Sequence, residues 1–293
     1  MIWIIWAFLN MTFASLLDIA NKKALKDVDE YWIGFFMRAL SLILLLPFVL
    51  GLGKIIFGME FVTGGIKFWI PVFFVAITNI IAVICFLHAV KETELSLILP
   101  LTVLTPIFLL LLSPIIGEIP SLWGLGGVLL IALGTYVLNI EKLDQGFFRP
   151  FKAIAETKGA KLVVISSLIW ATNNIVGKIG LLESNALSWS FTTNVVGVLA
   201  FIPVIYLKSK IRFKDLSKHF KNIGSVGILR TAMVFSHNMA ISSGYVAYVI
   251  AIKRLSILFS TILSYFILGE INAKKRAFGC TLMVVGVVLI TVF

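Results

Sequence analysis

Five basic side chains stand inside long, nearly uncharged apolar runs: Arg38, Lys178, Arg230, Lys253 and Arg254. A charge placed centrally in hydrocarbon costs about 2.5–3.5 kcal/mol on insertion scales, so such residues normally face a cavity or a partner. Matching acids are scarce there. Asp18 is the only carboxylate well inside a run, and it sits four residues before Lys22, where the two can neutralise each other on one helix face or form a coupling ion pair. The chemistry on offer is electrostatic capture of an anionic group, a carboxylate or a phosphate. Helical spacing gathers polar atoms around these cations. Tyr245, Val249, Lys253, Ser256, Ser260 and Ser264 follow three- and four-residue steps, and Arg254 is turned about 100° from Lys253. Arg230 and His237 are seven residues apart on one face, and Asn174 precedes Lys178 by one turn. Three cation-bearing faces of the second half can thus converge on one pocket.

Each candidate also has a structural reading. Arg38 locks helices or snorkels as readily as it lines a pocket. Arg230, about seven residues inside its run, suits snorkelling. Lys178 is open to either role, whereas Lys253 and Arg254 lie mid-run, where snorkelling is hardest. His237 suits a satisfied neutral histidine, and His88 beside Lys91 suits the interface. Glu118 and Glu270 fall at turns, as capping or hairpin residues. Catalytic machinery is not expected: there is no G-x-x-x-x-G-K-[ST], H-E-x-x-H or G-x-S-x-G sequence. Cys85 and Cys280 lie in apolar runs without metal-site or disulfide spacing. No cofactor, metal or enzymatic activity is expected.

The elements that must position these residues are membrane helices. The 293 residues are 60% hydrophobic and 13% charged, with a mean hydropathy of +1.05, against about 45–50% and 25% for soluble domains. The runs predict spans at 2–21, 32–51, 68–90, 95–116, 122–140, 160–182, 187–207, 223–243, 245–268 and 277–293. Each is long enough for about 30 Å of hydrocarbon. They are apolar throughout, unlike the alternating strands of membrane barrels. The first run lacks a basic leader and a cleavage site and reads as a retained helix. Trp3, Trp6, Trp32, Trp69, Trp123 and Trp189 mark span ends, where amphipathic rings suit the headgroup region. Pro100, Pro106 and Pro114 interrupt the fourth span, by a gating bend or a packing kink.

The halves repeat. Ile116-Gly117-Glu118-Ile119 returns 152 residues later as Leu268-Gly269-Glu270-Ile271, and at the same offset Gly127 falls on Gly279 and Gly134 on Gly286. D-I-x-x-K-x-x-L at 18–25 returns as N-I-x-x-K-x-x-L at 174–181. The plan is an all-α membrane protein of ten transmembrane helices in two inverted five-helix repeats, 1–140 and 160–293, joined by a linker at 141–159. An odd number of helices per repeat inserts the second half upside down, giving two mirror-related states of similar energy. The paired glycines present flat faces for close helix packing.

These residues resemble the drug/metabolite transporter superfamily in its ten-helix EamA-like branch. The likeness rests on the turns at 117–118 and 269–270, the glycine-bearing helices after each, Trp170-Ala171 and Arg38. It implies a central pocket lined by the first four helices of each half, with the fifth and tenth as a back layer. Lys253-Arg254 in V-I-A-I-K-R-L-S-I is similar to the phosphate-binding pair of the triose-phosphate and nucleotide-sugar translocators, and Lys178 to another of their lysines. The chain departs from that branch in length and at most other positions, which leaves the substrate open. The expected function is secondary active or facilitative transport of a small organic metabolite, anionic or zwitterionic. Lys178, Lys253 and Arg254 would hold the charge, with Tyr245, Asn174, His237, Arg230 and Arg38 beside them. The alternative is a membrane-embedded enzyme acting on a phosphate-bearing lipid or lipid-linked sugar. Expected partners are a small-molecule substrate and the bilayer, with the chain as monomer or homodimer.

The formal charge of +11 would point to nucleic acid in a soluble protein, but here the cations occupy loops and nucleic acid is not expected. One face carries 18 Lys and Arg against Lys54 and Lys67 on the other, so the positive-inside rule places both termini outside. The resemblance implies both inside. Short loops and a Lys- and Ile-rich composition suit a multi-pass protein of a prokaryotic plasma membrane.

Overall fold

The computed structural model describes residues 2–24, 27–93, 100–139, 146, 148–209, 219–256, 259 and 273–292, and every regular element among them is helical. In hydrocarbon each backbone polar group must be satisfied within its own segment, and only a helix does this for a single run. The helices are α1 (Ile2–Ala24), α2 (Glu30–Pro47), α3 (Gly53–Phe57), α4 (Ile66–Glu92), α5 (Leu104–Leu112) and α6 (Leu122–Asn139). They continue with α7 (Arg149–Glu156), α8 (Lys158–Leu182), α9 (Ala186–Lys208), α10 (Phe220–Ser243), α11 (Val246–Lys253) and α12 (Ala273–Val292). The turn expected at Gly269-Glu270, the side chains of Asp18, Lys22 and Lys91, and Ser260 and Ser264 lie outside the described residues.

Among the described residues five stretches are long and apolar enough to cross a membrane: Ile2–Asn21, Tyr31–Phe57, Ile66–Phe86, Lys158–Leu182 and Ala186–Lys208. Pro100–Ile116, Leu122–Leu138 and Phe278–Val292 are shorter apolar helices. The second span is composite. A π-helical segment, Phe48–Leu52, joins α2 to α3 through Gly51, whose φ of 145° is outside the helical range. The run expected to be the fourth span is interrupted where its prolines fall: a 3₁₀ segment at Pro100–Val103, then α5, then a 3₁₀ segment at Ser113–Ile116. The stretch 141–159, expected to be a linker, folds in part as α7. Its apolar side docks through buried Pro150 and Ala153, and Phe151 stacks on Tyr136 of α6 with centroids 5.3 Å apart.

The chain forms two compact units, each drawn from both halves: residues 1–77 with 176–243, and 78–175 with 244–293. In the first, α1, α2 and α10 share a core of Ala14, Leu17, Ile33, Phe36, Val226 and Met233. Asp29 caps α2 by accepting from Trp32 N at 2.9 Å, and Asn185 caps α9 by accepting from Ser188 N at 3.0 Å. Trp189, expected at an interface, is instead 5% exposed: it fills the space left by Gly180, where a Cβ would lie 2.3 Å from its ring. The ring is large and apolar enough to be worth more as core than as a headgroup anchor.

In the second unit, α6 and α12 cross antiparallel on glycine. A Cβ at Gly127 would lie 2.6 Å from Gly286 O, and one at Gly134 would lie 2.5 Å from Gly279 O. Ile131 and Met283 fill the centre of this crossing with zero exposure. Helix α11 is buried on every side from Val246 to Ile252, as expected of a helix apolar all round.

Candidate functional site

The structure divides the candidate residues between the units. Arg38, Lys178, Arg230 and His237 belong to the first, and Asn174, Tyr245, Lys253 and Arg254 to the second.

In the first unit α2 supplies Arg38 and α10 supplies Arg230. Arg38 is 9% exposed and held on three sides. Its Nη1 donates to Gly34 O at 3.0 Å, its Cζ lies 4.5 Å from the centre of the Phe201 ring, and a Cβ at Gly197 would come within 2.9 Å of its Cδ and Nε. Gly34 in turn makes room for Phe201, whose ring would lie 3.0 Å from a Cβ there. A desolvated cation over an aromatic face gains about 2 kcal/mol, so this groove is built for a guanidinium. Arg230 is near enough for its charge to act on Arg38. Helix α10 begins at Phe220, which sets Arg230 ten residues, about 15 Å, from that end. Its Nε is buried and meets no acceptor among the described residues. The snorkelling expected for Arg230 does not describe a nitrogen sealed in this way.

The separation of α2 and α10 is fixed beside both arginines. Ser41 and Thr231 share a hydrogen bond of 2.8 Å, and Gly227 admits Leu40 where a Cβ would meet it at 2.4 Å. Helix α1 joins through Asn10, whose Nδ2 donates to Met233 O at 2.7 Å. Lys178 on α8 is 9% exposed, and His237 is half-buried on α10. A polar seam that residue spacing does not reveal runs between α9 and α10: Asn238 Nδ2 donates to Ser190 Oγ, and Asn194 Nδ2 to Ser190 O, both at 2.7 Å. Its signal in the sequence is amides within apolar runs.

In the second unit Arg254 Nη2 donates to Thr102 O at 2.9 Å. An α-helical bond to that carbonyl would come from residue 106, where proline has no N–H. Pro106 therefore frees the acceptor that Arg254 takes, and part of the guanidinium is engaged with backbone. Lys253 is half-buried at the last turn of α11. Tyr245 precedes the first turn, 41% exposed, with its ring 5.2 Å from that of Tyr248. Eight residues, about 12 Å of helix, separate it from Lys253, so the two do not act on one small group. Asn174 Nδ2 bonds back to Trp170 O on its own helix at 2.7 Å. Its neighbour Asn173, not among the expected site residues, accepts from Thr78 Oγ1 at 2.6 Å and leaves Nδ2 buried without a partner among the described residues.

Glu118 caps, but not its own hairpin. Gly117, at φ 77°, ends the 3₁₀ segment and turns the chain, and the Glu118 carboxylate accepts from Val246 N at 2.7 Å, the first residue of α11. Negative charge at a helix N-terminus meets both unpaired N–H groups and the dipole. Tyr248 OH accepts from Ser121 N at 3.1 Å alongside. Cys85 and Cys280 are both half-buried.

No curated protein matches the sequence. One protein solved by crystallography is similar at 15% identity and a TM-score of 0.76, covering 98% of this chain and 96% of its own, which shows a shared fold. The pattern of the EamA-like transporter family matches residues 1–140 and 157–292, and the chain accordingly belongs to that family, among the multi-pass membrane transporters of the drug/metabolite superfamily.

Proposed function

We propose that this chain is a secondary transporter, active or facilitative, with ten membrane-crossing helices in two inverted five-helix repeats at 1–140 and 160–293. It moves a small organic metabolite with an anionic or zwitterionic group by alternating access, as a monomer or homodimer in a prokaryotic plasma membrane. The observation that supports this most directly is the pairing of Arg254 with Thr102. They are 152 residues apart, the step that relates Gly117-Glu118 to Gly269-Glu270 and Gly127 to Gly279. A position in contact with its own repeat equivalent lies on the pseudo-two-fold axis. Exchanging the conformations of the repeats maps this pair of positions onto itself.

The glycine crossing obeys the same relation, since Gly127 meets Gly286 and their equivalents Gly279 and Gly134 also meet. Such a crossing can persist in both states while broken segments move. The interrupted backbone at Pro100–Val103 and the end of α11 at Lys253 fall at equivalent places in the two repeats, and discontinuous helices are where secondary transporters bind solutes. In this reading Lys253 and Arg254 hold the carboxylate or phosphate, with Asn174 as a polar neighbour in the same unit.

Uptake of candidate solutes into proteoliposomes tests it. Losing a hydrogen bond to a charged group costs about 1.5–3 kcal/mol, so Lys253→Ala and Arg254→Ala should each lower transport of the true substrate by about tenfold or more. If both variants transport normally, the anion-pocket assignment is wrong.

A further inference from the structure

We infer that Arg38 and Arg230 together form an oxyanion-binding clamp inside the first unit, separate from Lys253 and Arg254, that takes one carboxylate or phosphate group. The inference deepens the reading of an anionic solute and rests on it.

Two like charges side by side in an apolar bundle repel, and the cost rises as the surroundings become less polar. Unrelated structural cations would avoid each other. Here α2 and α10 bring two guanidinium groups within electrostatic reach, and the fold fixes that arrangement with the Ser41–Thr231 hydrogen bond and the Gly227–Leu40 contact beside them. Arg38 is pre-organised: Gly197 supplies its groove and Phe201 the face beneath it. The second observation is the orphaned donor. A buried N–H without an acceptor costs about 1–3 kcal/mol, more for a charged group, and among the described residues Arg230 Nε has none. An oxyanion between the groups would accept from that nitrogen and relieve the repulsion in one step. Guanidinium presents donors in a planar fork that fits carboxylate and phosphate, so the occupant's chemistry is defined although its source is either a solute or a lipid headgroup.

The test uses the full chain in neutral detergent, its thermal unfolding followed with sodium phosphate and sodium succinate against sodium chloride at equal ionic strength. The expected result is a saturable rise in Tm with phosphate, succinate or both, absent in Arg230→Gln and weakened in Arg230→Lys, which keeps the charge but not the fork. Elution on gel filtration in chloride checks that both variants fold. If Arg230→Gln keeps the full rise, or the unaltered chain shows none, the clamp is overturned. A rise that survives Arg230→Gln but is lost in Lys253→Ala rejects this site while leaving the anionic-solute reading intact. Nanodiscs of phosphatidylcholine with and without phosphatidylglycerol identify the source. Loss of the phosphate effect only when phosphatidylglycerol is present assigns the clamp to a headgroup, and persistence assigns it to a soluble anion.

Discussion

The crossing of α6 on α12 and the pairing of α2 with α10 are both close helix contacts within apolar bundles, but opposite chemistry builds them. In the first, glycines bring backbone against backbone and Ile131 and Met283 fill what remains, with no charge near the centre. Close packing, rather than a hydrophobic drive, associates helices in lipid, and small residues permit it. In the second, glycines make room for side chains, Arg38 in the Gly197 groove and Phe201 against Gly34, and the contact carries two cations and a hydroxyl pair. The same residue type serves a rigid seam in one place and a charged recess in the other. What a glycine does in a membrane helix depends on whether backbone or side chain faces it.

Gly134→Val should break the contrast most severely. The new Cβ would lie 2.5 Å from a backbone oxygen that cannot yield, so the loss should be about 3 kcal/mol, at the upper end of overpacking costs. It would be read as a fall in Tm and loss of the monodisperse peak. Glu118→Ala comes next, since it strands the buried Val246 N–H at the start of α11; an unsatisfied donor costs about 1–3 kcal/mol. Glu118→Gln keeps an acceptor and should lose less, and equal losses would mean that the cap contributes nothing.

The contact between Arg254 and Thr102 is best measured as a coupling. Pro106→Ala restores the N–H that can bond the Thr102 carbonyl within the helix, so Arg254→Leu should cost less in that background, by about 1 kcal/mol in a double-mutant cycle. Additivity would show that the prolyl gap and the arginine are unrelated. Gly197→Ala should be milder in stability than Gly134→Val, because the atoms it meets belong to the Arg38 side chain. It should nevertheless abolish the stabilisation by phosphate or succinate, and a large stability loss with anion binding intact would erase the distinction between seam and recess.

The smallest effect is expected at Lys54 and Glu60, where both side chains are more than half exposed and 2.7 Å apart. The Lys54 ammonium donates to the Glu60 carboxylate and holds its pKa below the ordinary value. Its contribution is therefore present above the carboxyl's unfolded pKa and lost as pH falls through the lowered one. Exposed pairs contribute little, so Glu60→Gln should leave Tm unchanged near neutral pH.

Much of the architecture is legible in the chain itself. The apolar runs, the repeated Gly-Glu turn and the glycines spaced by seven are all visible there, because lipid imposes a local rule on every crossing segment and a repeat duplicates its own signals. The prolines foretell the interrupted helix at Pro100–Ile116 for the same reason, since a missing N–H is a property of one residue. The five cations can also be named, because a charge among apolar neighbours stands out at once. Their assignment fails where partners are needed. Periodicity puts Tyr245 and Lys253 on one face but does not weigh the length of helix between them, and it treats Arg38 and Arg230 as unrelated. It also makes Trp189 an interfacial ring and leaves open whether Glu118 caps a helix or closes its hairpin. Only the tertiary structure decides that Arg38 comes within electrostatic reach of Arg230, that Glu118 caps α11 and that Arg254 takes the carbonyl freed by Pro106. Each of those contacts joins residues more than a hundred positions apart, and such pairings are fixed by how whole helices cross, which no local pattern encodes.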